Sequence, residues 1–362
     1  MDQFEGGTPQ VLASDDLLRL DVDSEARLER VRQEAGKIAA ENRIAGKPVE
    51  LDLAPEGDVR VGRLVYRERS GEDVFIETTE RPASVVVRGL DSRSRNNPVA
   101  TLLNGATGNE GADVSALSEA TIDDRIVGFQ PLAGVPIPAL PLAILRAVRE
   151  GDARESWQIQ IEERQGADLY GYDEQTGEVT EGADGIPEIR LRSAARRGDP
   201  EKANVHLFDV NGSSTVEELT QQMQVGWGDA DLPGQLKELR FDEGLQNFET
   251  INGIHGASPR VLKELIGQCR IIFLYDNFLA TGRSGAGRIA VSKAVAGRVL
   301  SVRLLEDDGC ELIVQPGVMT TRTAILADEM GGLKNDRRNK RDWNKDSEKL
   351  ANRYIYKLQI TN

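Results

Sequence analysis

The sequence predicts an α+β protein rich in strands: mainly antiparallel sheets or small barrels, a few short helices and one longer helix near the N-terminus. Three observations lead there. Between Cys269 and Pro316 the most apolar run of the chain, Arg270-Ile271-Ile272-Phe273-Leu274-Tyr275, leads to a hairpin signature. Leu300, Val302 and Leu304 alternate with Ser301 and Arg303, Asp307-Asp308-Gly309 forms the turn, and Leu312 and Val314 alternate on the return. Period-two apolar spacing around Asp-Gly is a strong short-range signal for paired strands. The second observation is the order of elements, a helix followed by a meander of strands instead of alternating βαβ units. The third is that a helical period is sustained over only one long stretch.

That stretch starts at Ser24, a capping residue, with Glu25 in the first turn. Leu28, Val31, Ala35, Ile38 and Asn42 recur at three- and four-residue spacing until Gly46 and Pro48 stop them. The apolar stripe is narrow, so the helix lies on a sheet or pairs with a second helix. Before it, residues 1–20 read as an arm. After it, strands are expected at Val49–Leu53, Val59–Arg67, Val74–Thr78 and Val85–Arg88, punctuated by Asp58, Ser70-Gly71 and Pro82. Residues 104–111 form a glycine-rich loop. A proline-rich connection through Pro136, Pro138 and Pro141 leads into a short helix, Leu142–Val148, ended by Gly151.

A chain of 362 residues has room for two domains with a core each. The boundary is expected at that helix, giving residues 1–150, a helix with a β-meander, and residues 151–362, a β-rich C-terminal domain. The second part restarts with alternating Trp157–Ile161, a hairpin over Tyr170–Val179, and strands at Ile186–Leu191 and Asn204–Val210. A capping box from Ser214 to Glu217 opens a helix through Leu219 and Met223. Residues 226–250 give no clean assignment. Ser258 and Pro259 open a short helix, with Val261, Leu262 and Leu265 facing the core. Residues 334–349 are a charged excursion around Trp343, and Arg353–Ile360 alternate as a terminal strand.

Motifs that carry chemistry are scarce. His206 reads as a hydrogen-bonded strand residue, and His255 lies between glycines with no second ligand at metal spacing. Gly282-Arg283-Ser284-Gly285-Ala286-Gly287-Arg288 invites a phosphate reading. No Gly-Lys-Ser/Thr follows it, and Ile289–Val291 look like strand, so it reads as a hairpin loop. Adjacent acids such as Asp123-Asp124 would point to opposite faces of a strand and share no substrate. Asp21 and Asp23 begin a calcium-type pattern without its central glycine or distal glutamate. The two cysteines, Cys269 and Cys310, each start a strand and read as buried thiols, a disulfide being the alternative. No cofactor, metal ligand or catalytic residue is assigned.

The stretch Ala26–Leu53, with its polar helix followed by Gly46-Lys47-Pro48-Val49-Glu50-Leu51, resembles the soluble part of pseudopilin-like proteins, where a helix feeds a strand meander. The resemblance carries no functional residue, and the apolar N-terminal helix of that family does not occur in this sequence.

The net charge of −15 argues against nucleic acid as a partner. No apolar run reaches the length of a spanning helix, and the first residues carry no signal-peptide pattern, so synthesis in the cytoplasm is expected, with association to a virion as one destination. These features together suggest a non-enzymatic assembly subunit, such as a phage virion or tail component, whose partners are other protein subunits in a homo-oligomer or a mixed assembly. Its expected contacts are Trp343, Arg337, Arg338 and Arg341 of the excursion and Tyr354 and Tyr356 of the terminal strand. The alternatives are a pilus- or secretion-associated surface protein, and an enzyme acting on carbohydrate or phosphorylated metabolites.

Overall fold

The computed structural model describes residues 24–44, 46–67, 72–79, 82–91, 112–174, 176–194, 199–212, 215–241, 244–251, 258–281, 287–305, 309–327 and 352–361. Residues 1–20, 104–111 and 334–349, His255 and the centre of the Gly282–Arg288 loop lie outside the described residues. The fold is β-rich and mainly antiparallel, as its sequence predicts. Its described residues divide into a smaller unit within Asp21–Asp123 and Leu358–Asn362 and a larger one within Asp124–Lys357.

The smaller unit opens with α1 (Ser24–Glu41), followed by a minimal hairpin of β1 (Arg43–Ile44) and β2 (Lys47–Pro48). The meander comes next: β3 (Val59–Arg67), β4 (Glu72–Glu77), β5 (Ser84–Asp91) and β6 (Val114–Asp123). β3 pairs antiparallel with β4 and β5, and β5 with β6. Two local readings change. Val49–Leu53 is not a strand, because Asp52 and Asp58 fold it into a turn: the Asp52 amide donates to Asp58 Oδ2 at 2.8 Å and the Asp58 amide to the Asp52 carbonyl at 2.7 Å. The buried side of α1 is also rotated. Leu28 and Arg32 are buried and Gly36 lies against Leu53, whereas Val31 and Ile38 are 37% and 55% exposed. Without a side chain at Gly36 the helix approaches along its small-residue face, and the expected stripe is split.

The larger unit runs through β7 (Ile126–Phe129), β8 (Ala139–Leu145), β9 (Tyr170–Asp173), β10 (Glu178–Glu181), β11 (Ile189–Arg192) and β12 (Val205–Asp209). It continues with α2 (Val216–Val225), β13 (Leu239–Arg240), β14 (Gln246–Ile251), α3 (Ser258–Glu264), β15 (Cys269–Ala280), β16 (Gly287–Leu304) and β17 (Cys310–Pro316). It ends with β18 (Met319–Thr320), β19 (Ala324–Leu326) and the first residues of β20 (Ile355–Thr361), which pair with β18. Five strands close on themselves in the ring β8–β12–β14–β16–β15, so the sheet becomes a small barrel. The one parallel pairing in the ring joins β15 to β8. Past Gly297 the outer edge of β16 passes from β14 to β17, the expected hairpin, and β17 carries β11.

β8 corrects the helix expected at Leu142–Val148. All seven of its residues are buried, and such a run cannot be told from a buried helix by period alone. Proline normally ends a central strand by removing a ladder donor. Here Pro141 sits where the register with β15 is interrupted, between Ile271↔Ala139 and Phe273↔Ala143. β8 also lies ahead of the boundary expected at residue 150, yet it is a stave of the larger unit's barrel.

Trp157–Ile161 is likewise not a strand. Gln158–Glu162 form a π-helical turn, and the Trp157 ring is fully buried edge-on against Tyr354 at 5.5 Å. The capping box of α2 is shifted by one residue. Thr215 Oγ1 accepts from the Glu218 amide at 3.2 Å while Glu218 Oε2 accepts from the Thr215 amide at 2.6 Å. The unassigned stretch 226–250 supplies β13, β14 and Trp227, which stacks on Phe273 at 5.1 Å with Phe208 edge-on to both. Neither cysteine is in a disulfide; Cys310 is buried and Cys269 half-buried. They pair with β16 residues Leu304 and Arg298, roughly 20 Å apart along the strand, far beyond disulfide reach.

Candidate functional site

A break in the pleat of β15 organises a cleft in the larger unit. Along a regular strand Tyr275 and Phe278, three positions apart, face opposite sides of the sheet. Register shifts between Leu274 and Tyr275 and between Tyr275 and Asn277 leave Asp276 without a partner on β16. Such a bulge re-aims side chains. Both rings then meet His206 of β12, Phe278 stacked at 4.4 Å and Tyr275 edge-on at 5.1 Å. The opposing residue on β8 is Ala143, small enough to leave room for the rings.

Tyr275, Asn277 and Phe278 form one wall of a cleft of about 860 Å³. The other walls are the end of β8 and the turn after it, the edge of β11, and the short 3-10 turn at Pro200–Lys202. Arg154 ties two of these walls together. Its guanidinium binds both oxygens of Asp152, at 3.1, 3.0 and 2.6 Å, and donates to the carbonyls of Glu201 at 2.7 Å and Ala203 at 3.2 Å. This hydrogen bonding holds the Asp152 carboxyl below the usual carboxylate range and the Arg154 guanidinium above its own. Asp276, freed by the bulge, pairs with Arg146.

The outer edge of β11 is closed by side chains. Asn204 accepts from the Arg192 amide at 2.7 Å and donates to the Arg190 carbonyl at 2.9 Å, while Glu155 accepts from the Arg190 amide at 2.8 Å and pairs with its guanidinium. The backbone there is satisfied without a neighbouring strand. At this edge the Arg190 guanidinium is already paired with Glu155.

His206 departs from the sequence expectation in one respect. It is a buried strand residue, but it is held by ring contacts, and its Nε2 has no hydrogen-bond partner. Burial first, and the Arg154 charge second, push its pKa down to about 3, so the imidazole is neutral near pH 7. Burial also raises the Tyr275 hydroxyl above its ordinary range.

The six contact residues expected from sequence fall into two groups. Arg337, Arg338, Arg341 and Trp343 lie outside the described residues. Tyr354 is buried against Trp157, and Tyr356 is half-buried with its hydroxyl donating to the Arg353 carbonyl at 3.3 Å. Of the groups that an enzyme reading would gather, Asp276 lines the cleft; His255 and residues 282–286 lie outside the described residues. Among the described residues, no group of three His, Cys, Asp or Glu side chains is placed to hold a metal ion. Nor is any described helix long and apolar enough to cross a membrane. Asp152, Arg154, Asn204 and Phe278 were not visible as a site in the sequence, where the one local hint is the Asp-x-Arg spacing.

Comparison with protein-family models, curated proteins and solved structures finds no match.

The second candidate surface is on the smaller unit. Among its described residues Leu28, Val59 and Val61 are the buried apolar side chains, whereas Val31, Ile38, Ile76, Val114 and Leu117 are exposed, Leu117 by 66%. Scattered exposed apolar residues are ordinary. Among the described residues of this unit, however, exposed large apolar side chains outnumber the fully buried ones.

Proposed function

We propose that this protein is a non-enzymatic assembly subunit, of the kind that builds a phage virion or tail, and that the smaller unit is its docking element. The observation that carries the reading is the burial imbalance just described. A domain is stabilised by the apolar area it removes from water, at about 25 cal/mol per Å². A unit that leaves Ile38 and Leu117 in solvent gains that stabilisation when another subunit covers them.

The test is mass in solution, by light scattering coupled to gel filtration over a range of concentrations. The reading expects a concentration-dependent oligomer that Ile38→Glu and Leu117→Glu reduce to the 39.7 kDa monomer. A lone monomer at high concentration overturns it.

A further inference from the structure

The cleft beside the β15 bulge belongs to the larger unit, and its chemistry selects a ligand class. Its lining carries five carboxylates and five cationic side chains, so it has no net sign although the whole chain carries −15. Most of these charges are already committed, as in Asp152 with Arg154, Glu155 with Arg190 and Asp276 with Arg146. The uncommitted polar side chains are Arg149, Lys202, Glu201 and Asn277, which have no side-chain hydrogen bond or ion pair to the described residues. Next to Asn277 stands Phe278, a half-buried lining residue whose ring stacks on His206 and whose Cε2 and Cζ pack close to Gly287.

Each ligand class can be weighed against that lining. A polyanion would sit among the five carboxylates and a polycation among the five cations, so neither gains from the cleft as a whole. An apolar ligand would strip water from paired charges without replacing its hydrogen bonds, which is costly. A peptide adding as a strand needs free backbone groups on the β11 edge, and Asn204 and Glu155 already occupy them. What remains is an uncharged ligand with many groups that both donate and accept, plus one apolar face to lie on an aromatic ring. A sugar chain has that chemistry: each hydroxyl can bridge a carboxylate and a guanidinium, and the C–H face of the ring covers Phe278. The volume falls within the roughly 300–1,000 Å³ of small-molecule sites. The fixed Arg154 fork keeps the walls in place before binding, which lowers the ordering cost.

We infer that this cleft binds a neutral oligosaccharide, with Phe278 as the stacking platform and Asn277 as a hydrogen-bonding group beside it. This inference stands independently of the assembly reading. The test uses the full chain and a panel of uncharged tetrasaccharides built from α-linked glucose, β-linked glucose, N-acetylglucosamine and mannose. Binding is read by saturation-transfer NMR and then by calorimetry, with a heparin-derived tetrasaccharide and tetra-alanine as controls. At least one neutral sugar should bind and be weakened about tenfold by Phe278→Ala, the scale of one lost aromatic contact. Asn277→Ala, at an exposed position that leaves the fold intact, should weaken the same sugar and keep the wild-type melting temperature. Failure of every neutral sugar to bind overturns the inference, as does tighter binding of the charged sugar or the peptide. Binding unchanged in Asn277→Ala and in a folded Phe278→Ala also overturns it. Ile38→Glu should leave sugar binding untouched, so the two readings fail separately.

Discussion

The His206 imidazole lies flat on the Phe278 ring, centroids 4.4 Å apart and planes 5° from parallel, and its burial there makes the fold sensitive to acid. Buried with its Nε2 unpartnered, the imidazole has a pKa of about 3, against 6.5 for the ordinary side chain. Between those values the unfolded chain takes up a proton that the folded chain refuses. Stability from the neutral imidazole is therefore complete above pH 6.5 and is lost as pH falls toward 3. By pH 4 one such proton costs roughly 3 kcal/mol. Denaturant titrations of wild type and His206→Phe at several pH values should differ in slope between pH 6.5 and 4, with the substituted protein flatter. Parallel curves would show that His206 is already protonated or hydrated in the folded chain.

Arg154 should matter more for local order than its position on a cleft wall suggests. Arg154→Met keeps the stem and removes the fork, leaving Asp152 and the carbonyls of Glu201 and Ala203 to water. The expected loss is about 2 kcal/mol, since charged hydrogen bonds are strong but this site is partly open to solvent. Hydrogen exchange should quicken around residues 199–204 and stay unchanged in β16 and β17. The Asp152 carboxylate adds a pH signature. Its lowered pKa gives stability that is present above the ordinary carboxylate range and lost as pH falls through the folded value, and Arg154→Met should abolish it.

How much of this was legible depended on whether the signal was local. The β16–β17 hairpin, the β9–β10 hairpin and α3 are written in alternation, turn residues and caps a few positions apart, and they form as expected. β8 was misread because seven consecutive buried residues carry no period and Pro141 speaks against a central strand. The face of α1 was misread because Gly36 shifted the contact away from the larger side chains. The cleft was out of reach for a different reason. Arg146 and Asp276 are 130 residues apart, and their meeting needs the parallel β8–β15 pairing and a bulge that no composition rule announces.

Gly226 should tolerate no side chain. It ends α2 with φ of +93°, a region that disfavours any residue with a Cβ, and a Cβ there would stand 2.1 Å from the Ile137 carbonyl oxygen. The adjacent Trp227 amide donates to that same carbonyl at 2.9 Å, so the close approach secures the tryptophan over Phe273. Gly226→Ala is expected to cost about 3 kcal/mol or more through combined strain and displacement of the bridge. Thermal unfolding, together with the fluorescence maximum of Trp227, should report both effects. A red shift would mark a ring released toward water.

The two sides of α1 should respond oppositely to mutation if the helix rests on its small-residue face. Leu28 is 8% exposed, and Leu28→Ala removes buried methyl groups, at a cost expected near 2–3 kcal/mol. Ile38 is 55% exposed, so Ile38→Glu should leave monomer stability within about 0.5 kcal/mol while changing the mass measured in solution. Gly36→Leu should be the most damaging of the three, because even a Cβ at that position comes within 3.0 Å of Leu53 Cδ1 and a longer side chain lifts the helix away. Should Ile38→Glu instead unfold the smaller unit, the helix would be rotated about its axis from the orientation described. Val31 and Ile38 would then be core residues, and the burial imbalance that supports docking would disappear with them. Chemical denaturation of the three variants, each followed by light scattering, separates a residue that holds the unit together from one that holds subunits together.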